Sequence, residues 1–234
     1  MSDDLPGGAI SNRPLRFYWV LDVSGSMAGE KIGQLNFAIR EALPAMKDVA
    51  SGNPHAAVEV KVLTFSSGAQ WMTPTPVPLD NFSWTDVVAE GITDMGEALK
   101  MMAAELSIEN MPSRSLPPVI VLVTDGQPTD DFETGLAGLM AERWGQKSIR
   151  IGIAVGTDAD LEIIEKFIGS SDIKPLQTNN SADLVNYIRW VSTQVLKAAS
   201  SPASQAPDSY SDAPKPTDML PPAPPPVDGA PQVW

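Results

Sequence analysis

The sequence predicts an α/β fold in which a mainly parallel sheet is covered by helices on both faces. Three observations predict it. Short apolar runs alternate along the chain with stretches of helical periodicity. Two of those runs, LRFYWVLD at 15–22 and PVIVLVT at 118–124, are mostly apolar with no helical spacing, as strands buried on both faces are. With 43 % apolar residues, the 234-residue chain can fill one core of ordinary size.

The first strand, 15–22, ends in Asp22 and is followed by a turn, Ser24-Gly25-Ser26. From Glu30 to Val49, Ile32, Leu35, Ile39, Leu43 and Met46 recur every three or four positions, an amphipathic helix. Pro44 lies inside it and is expected to kink it or end it early. Residues 57–65, AVEVKVLTF, alternate and read as a strand with one wetter face carrying Glu59 and Lys61 outward. Residues 70–73 suggest a short edge strand. Pro74, Pro76 and Pro78 then keep the chain extended and irregular.

Residues 96–108 read as a helix, 118–124 as the second fully buried strand ending at Asp125, and 132–144 as a helix. A strand follows at 148–155. Asp160 caps a helix that runs to about Ile168, with Glu162 and Glu165 in its first turns. A last short strand is expected at 173–177 and a long final helix at 182–198. No internal repeat is visible. The organisation is therefore an extension at 1–14, a domain at 15–199 and a tail at 200–234. The tail holds ten of the 22 prolines, so it cannot build a core, and it is expected to be disordered or polyproline II. Its terminal Trp234 is a candidate docking anchor.

Bulk chemistry narrows the function. Without cysteine there are no disulfides, thiolate metal sites or Cys nucleophile. A formal charge of −13 repels nucleic acid and anionic lipid, and neither is expected as a partner. The start of the chain lacks the basic and apolar regions of a signal peptide, and no run approaches the roughly 18–20 apolar residues of a membrane helix. A cytoplasmic location is the expectation.

Three loops carry the chemistry. They are Asp22-Val23-Ser24-Gly25-Ser26 after the first strand, Gly91-Ile92-Thr93-Asp94-Met95-Gly96 opening a helix, and Asp125-Gly126 after the PVIVLVT strand. Ligands in open α/β sheets sit outside the carboxyl ends of strands, where all three loops can meet. Asp22, Ser24, Ser26, Thr93 and Asp125 offer only hard oxygen donors, which suit Mg²⁺, with Mn²⁺ or Ca²⁺ possible, and disfavour zinc. Ser24 and Ser26, two apart in a tight turn, can face one ion, and Gly25 lets backbone approach closely.

Catalysis is not expected. The only histidine, His55, belongs to the turn at the opposite end of the sheet, and no Lys or Arg lies within the three loops, Lys31 being the nearest. A phosphate loop and a G-x-S-x-G elbow are both absent. A Mg²⁺-dependent phosphohydrolase is the rival reading that these absences weigh against. Asp94, Gln127, Trp71 and Trp84, near the loops, are candidates for a partner surface together with Trp234. The acids Asp94, Glu30, Asp130 and Asp131 equally suit helix starts.

VLDVSGSM, GITDMG and VLVTDG resemble the three loops of the metal-ion-dependent adhesion site of von Willebrand factor A domains, a likeness that covers residues 15–198. DVSGSMAGEKI and TDGQPTDDF resemble the bacterial tellurium-resistance (TerY-like) branch. The resemblance implies a doubly wound, Rossmann-like, six-stranded sheet. It implies that Ser24, Ser26 and Thr93 ligate the ion, that Asp22 and Asp125 act mainly through water, and that a sixth position takes a carboxylate from a protein partner. Partners implied for that branch are a Ser/Thr protein kinase and a metal-dependent Ser/Thr phosphatase in a stress-response module. A subunit of an ATP-driven remodelling complex is the alternative.

Overall fold

The computed structural model describes residues 13–200 and 220–227. Its sheet has the spatial order β3-β2-β1-β5-β6-β7, with β4 paired to β2 off that path. The strands are β1 (Arg13–Asp22), β2 (Ala56–Ser66), β3 (Gly68–Trp71), β4 (Val77–Pro78), β5 (Val119–Thr124), β6 (Ile149–Val155) and β7 (Leu176–Thr178). Among the described residues only β3 and β4 run antiparallel to their neighbour. They share one edge of β2, so the sheet is six positions wide, as expected, but holds seven strands. The additional one is a two-residue pairing inside the proline-rich segment.

Alternation along each central strand divides the core in two. Phe17, Trp19 and Leu21 of β1 join Val58, Val60 and Val62, Val119, Val121 and Val123 on one face. That face is covered by α1 (Glu30–Ser51), by α6 (Ser181–Trp190), and by the π turn Val191–Val195 and α7 (Leu196–Ala199) that continue α6. Tyr18 and Val20 join Leu63, Phe65, Ile120 and Leu122 on the other. There α2 (Met95–Glu105), α3 (Phe132–Ala141) and α5 (Leu161–Ile168) pack, and α4 (Arg143–Lys147) follows α3 after one residue.

Several expectations change. The helix α1 runs through Pro44 to Ser51. Pro44 sits on its exposed side, where water can satisfy the carbonyl that loses its donor. Lys61 does not point outward: it is 5 % exposed. The second face of β2 is roofed by α2, and Lys61 donates to Glu105 at 2.6 Å beneath the Trp71 ring. The helix expected at 132–144 breaks at Glu142. The extension is shorter by two residues, because Arg13 and Pro14 already pair with β2.

The tail is not wholly detached either. Leu220 packs against the α1/α6 core, and the Val227 N–H donates to Asp183 Oδ1 at 2.6 Å. Trp234 lies outside the described residues.

Candidate metal centre

The chain leaves β1 toward β2 on one side, and β5 returns beside β1 on the other. This reversal of winding opens a crevice at the carboxyl ends of β1 and β5. Leu21 pairs with Val123, so Asp22 and Thr124 emerge side by side. The Thr124 hydroxyl donates to Asp22 Oδ2 at 2.6 Å, and the Ser24 N–H donates to Asp22 Oδ1 at 2.8 Å. Ser24 Oγ lies 2.9 Å from Ser26 Oγ, and the Ser26 hydroxyl donates to Asp125 Oδ1 at 2.6 Å. Thr93 comes close from the second loop, across Gly126: a Cβ added to Gly126 would lie 3.3 Å from Thr93 Oγ1 and 3.6 Å from Asp22 Oδ2. The five oxygen-bearing side chains singled out in the sequence therefore converge.

Backbone bonds hold the loops in register. The Gly25 N–H donates to Gly91 O at 3.0 Å, and the Glu90 N–H to Val23 O at 2.8 Å. A Cβ on Gly25 would stand 3.2 Å from Gly91 O, so the small residue permits this approach. The Thr129 N–H donates to Thr93 O at 2.9 Å, and the Thr93 N–H to Thr129 Oγ1 at 3.1 Å.

Asp22, Ser24, Thr93 and Asp125 are buried, whereas Ser26 is exposed and marks the open side. Burial pushes the Asp22 carboxyl above its ordinary range, hydrogen bonds from Ser24 and Thr124 oppose the shift, and the Asp125 charge adds to it. Two buried carboxylates among three neutral hydroxyls suit a hard divalent cation. Among the described residues, no group of three or more His, Cys, Asp or Glu could hold a metal ion.

One residue read as merely nearby enters the centre. The Lys31 ammonium donates to Asp125 Oδ2 at 2.6 Å, with side-chain exposures of 13 % and 0 %. His55 sits at the amino end of β2, opposite the loops, and its carbonyl accepts the Arg13 N–H at 3.0 Å.

The expected partner residues are used differently. Asp94 ties the second loop to its neighbours, accepting the Gly68 N–H at 2.7 Å and the Thr129 hydroxyl at 3.2 Å. The α2 N-terminus is capped instead by Asp130, which accepts the Gly96 and Glu97 N–H groups at 2.8 and 2.7 Å. Trp71 stacks over Lys61 with 3.9 Å from Nζ to the ring centroid, and Trp84 donates to Asn36 Oδ1 at 3.1 Å, so both pin the irregular segment to the core. Gln127 is exposed beside Asp125. Sequence reasoning passed over Val88 and Ile92, which stand 78 % and 52 % exposed on the segment leading into Thr93. It also passed over a polar cleft of about 410 Å³ beside that loop, lined by Ser66, Ser67, Gln70 and Glu90 among others. Exposed apolar residues on a loop were the available signal for the first; the cleft depends on the β2–β3 turn and had none.

Residues 17–127, a stretch that contains all three loops, match the family model of the von Willebrand factor type A domain. By this match, residues 17–127 are similar to a von Willebrand factor type A domain. Among curated proteins it is 33 % identical over 132 residues to the inter-alpha-trypsin inhibitor heavy chain H4 of Bos taurus. It is 23 % identical over 194 residues to matrilin-3 of Gallus gallus. Those matches cover 52 % and 79 % of this chain but only 13 % and 38 % of the relatives.

Solved structures share the fold. A von Willebrand factor type A protein from Catenulispora acidiphila superposes with a TM-score of 0.60 at 15 % identity, over 80 % of this chain and 43 % of that one. The pilus adhesin SpaC of Lactobacillus rhamnosus GG gives 0.63 at 15 % identity, over 80 % and 30 %. Proximal thread matrix protein 1 from the mussel byssus, solved with a zinc-occupied MIDAS motif, gives 0.57 at 15 % identity, over 77 % and 48 %. No helix among the described residues of the domain is long and apolar enough to cross a membrane.

Proposed function

We propose that this chain is a von Willebrand factor A domain that binds a divalent cation, Mg²⁺ first and Mn²⁺ or Ca²⁺ as substitutes, and through it a carboxylate of a protein partner. The observation that carries this reading is the hydrogen-bonded chain Asp22–Ser24–Ser26–Asp125, with Thr93 close by across Gly126, at the sheet's reversal point. Ser24, Ser26 and Thr93 would hold the ion directly, with Asp22 and Asp125 balancing its charge. A metal-occupied site in a protein of like fold supports the same reading. The bound ion supplies Lewis acidity toward an incoming carboxylate. This chain's residues orient the ion and keep Ser26 on the open side, where a partner can approach. Val88 and Ile92, with Gln127, supply the surrounding contact surface.

The reading is non-catalytic. Among the described residues no histidine stands at the centre, and Asp125, which accepts the Ser26 hydroxyl, is held by Lys31 rather than by a group that would make it a base. The motifs DVSGSMAGEKI and TDGQPTDDF support a finer assignment to a cytoplasmic, tellurium-resistance type stress module. A Ser/Thr kinase and a metal-dependent Ser/Thr phosphatase are the proposed partners there. Relatives of like fold range from a pilus adhesin to a thread protein, so the branch rests on those motifs alone.

Calorimetric titration with Mg²⁺ and Mn²⁺, and melting with and without chelator, test the proposal. Ion at 100 times its Kd should stabilise the fold by about 2.7 kcal/mol. Ser24→Ala with Ser26→Ala should abolish that gain while leaving the chelator-treated melting temperature within a few degrees. An Asp- or Glu-bearing peptide should lower the water relaxivity of the Mn²⁺-loaded protein. Absence of binding heat together with an unchanged melting temperature would remove the ion from the reading.

A further inference from the structure

Lys31 is oddly placed for a surface lysine. It occupies the first turn of α1, where the helix dipole disfavours a cation. Its side chain nevertheless turns inward to 13 % exposure and meets Asp125 Oδ2 at 2.6 Å. The other Asp125 oxygen accepts the Ser26 hydroxyl at 2.6 Å. Both oxygens of this fully buried carboxylate are thus taken by the chain itself. An ion that draws on Asp125 and Ser26 must enter the space beside the ammonium, and two cations at that separation repel strongly in a half-buried site.

A second anion also stands near the ammonium. Gly156, which follows β6 with φ of +102°, packs closely against Lys31 and against that anion, Asp158. A Cβ there would lie 3.4 Å from Lys31 Nζ and 2.8 Å from Asp158 Oδ1. Asp158 is exposed, so this second anion lies on the solvent side of the ammonium.

We infer that Lys31 is a built-in competitor for the cation: it neutralises Asp125 until a divalent ion displaces it toward Asp158, so the Lys31–Asp125 bond and ion binding exclude one another. The inference rests on the cation-binding reading above and adds its regulation. It makes ion affinity a difference between two occupants of one carboxylate, and keeps the loops assembled at low ion concentration.

Titration of the full chain with Mg²⁺, wild type against Lys31→Met, is the test. Methionine keeps the length and removes the charge. It should tighten Mg²⁺ binding about tenfold, the scale of one partly buried ion pair withdrawn from competition. In chelator Lys31→Met should melt below wild type, because Asp125 loses its counter-charge; in saturating Mg²⁺ it should melt level with or above it. A lysine that merely braces the loop would lower both melting temperatures. Asp158→Asn should weaken Mg²⁺ binding several-fold. Equal or weaker affinity in Lys31→Met, or unchanged affinity in Asp158→Asn, overturns the inference while wild-type binding still upholds the cation reading. If neither wild type nor Lys31→Met binds Mg²⁺ or Mn²⁺, the cation reading itself fails.

Discussion

Single residues in this domain divide by whether their partner is near in sequence. Asp22 and Ser24 are two positions apart and were recognisable together. Glu105 was not, because its partners come from elsewhere. Its carboxylate receives Arg16 at 3.0 Å, Lys61 at 2.6 Å and the Tyr18 hydroxyl at 3.2 Å beneath α2. The pattern of β2 marks which face Lys61 is on but not what covers that face, and an unroofed lysine reads as solvated. Burial and the Glu105 charge together push the Tyr18 hydroxyl well above its ordinary range. Glu105→Ala would leave Arg16 and Lys61 crowded and short of an anion. It should cost about 3–5 kcal/mol, the usual penalty for breaking one side of a buried pair, read from the urea midpoint. Lys31 was recognisable as near the loops but not as a partner of Asp125, for the same reason. It lies 94 positions from Asp125, and a lysine near a helix start carries no mark of its partner.

Elements were more legible than their ends. The largely apolar strands, and Asp160 with its carboxylate accepting the Glu162 and Ile163 N–H groups, appear where the pattern put them. Boundaries moved where distant groups intervene. The α2 helix begins at Met95 because Asp130 reaches across from the third loop to cap it, and the sequence around Met95 holds no sign of that. Asp131 caps α3 locally, accepting the Thr134 N–H at 3.0 Å. That bond holds its carboxyl below the ordinary carboxylate value. A depressed acid stabilises the fold above the unfolded-state pKa, and the contribution fades as pH falls through the folded value. Asp131→Ala should therefore melt lower than wild type at pH 7 and merge with it in strong acid, a comparison made by following α-helical ellipticity at each pH.

At the scale of the whole molecule, alternating apolar strands and helices were enough to assign the two-faced sheet. For the tail, proline content reports what a segment cannot build alone and is silent on what it can lean against. Leu220 packs against the core cluster to which α1 and α6 contribute, and the Val227 N–H donates to the Asp183 carboxylate at the head of α6. A chain ending at Ser200 should lose about 1 kcal/mol, a partial share of what burying a leucine contributes, and show a correspondingly lower melting temperature. Finally, the rim around the centre is tethered in a circuit. The first loop is fastened to Glu90 and Gly91, the second to Thr129, and Asp94 runs on to Gly68 at the sheet's outer edge. A pull applied at Thr93 would therefore be felt at β3 and at the root of α2 alike, and amides as far apart as Gly25, Gly68 and Gly96 would slow their exchange together when a ligand seats.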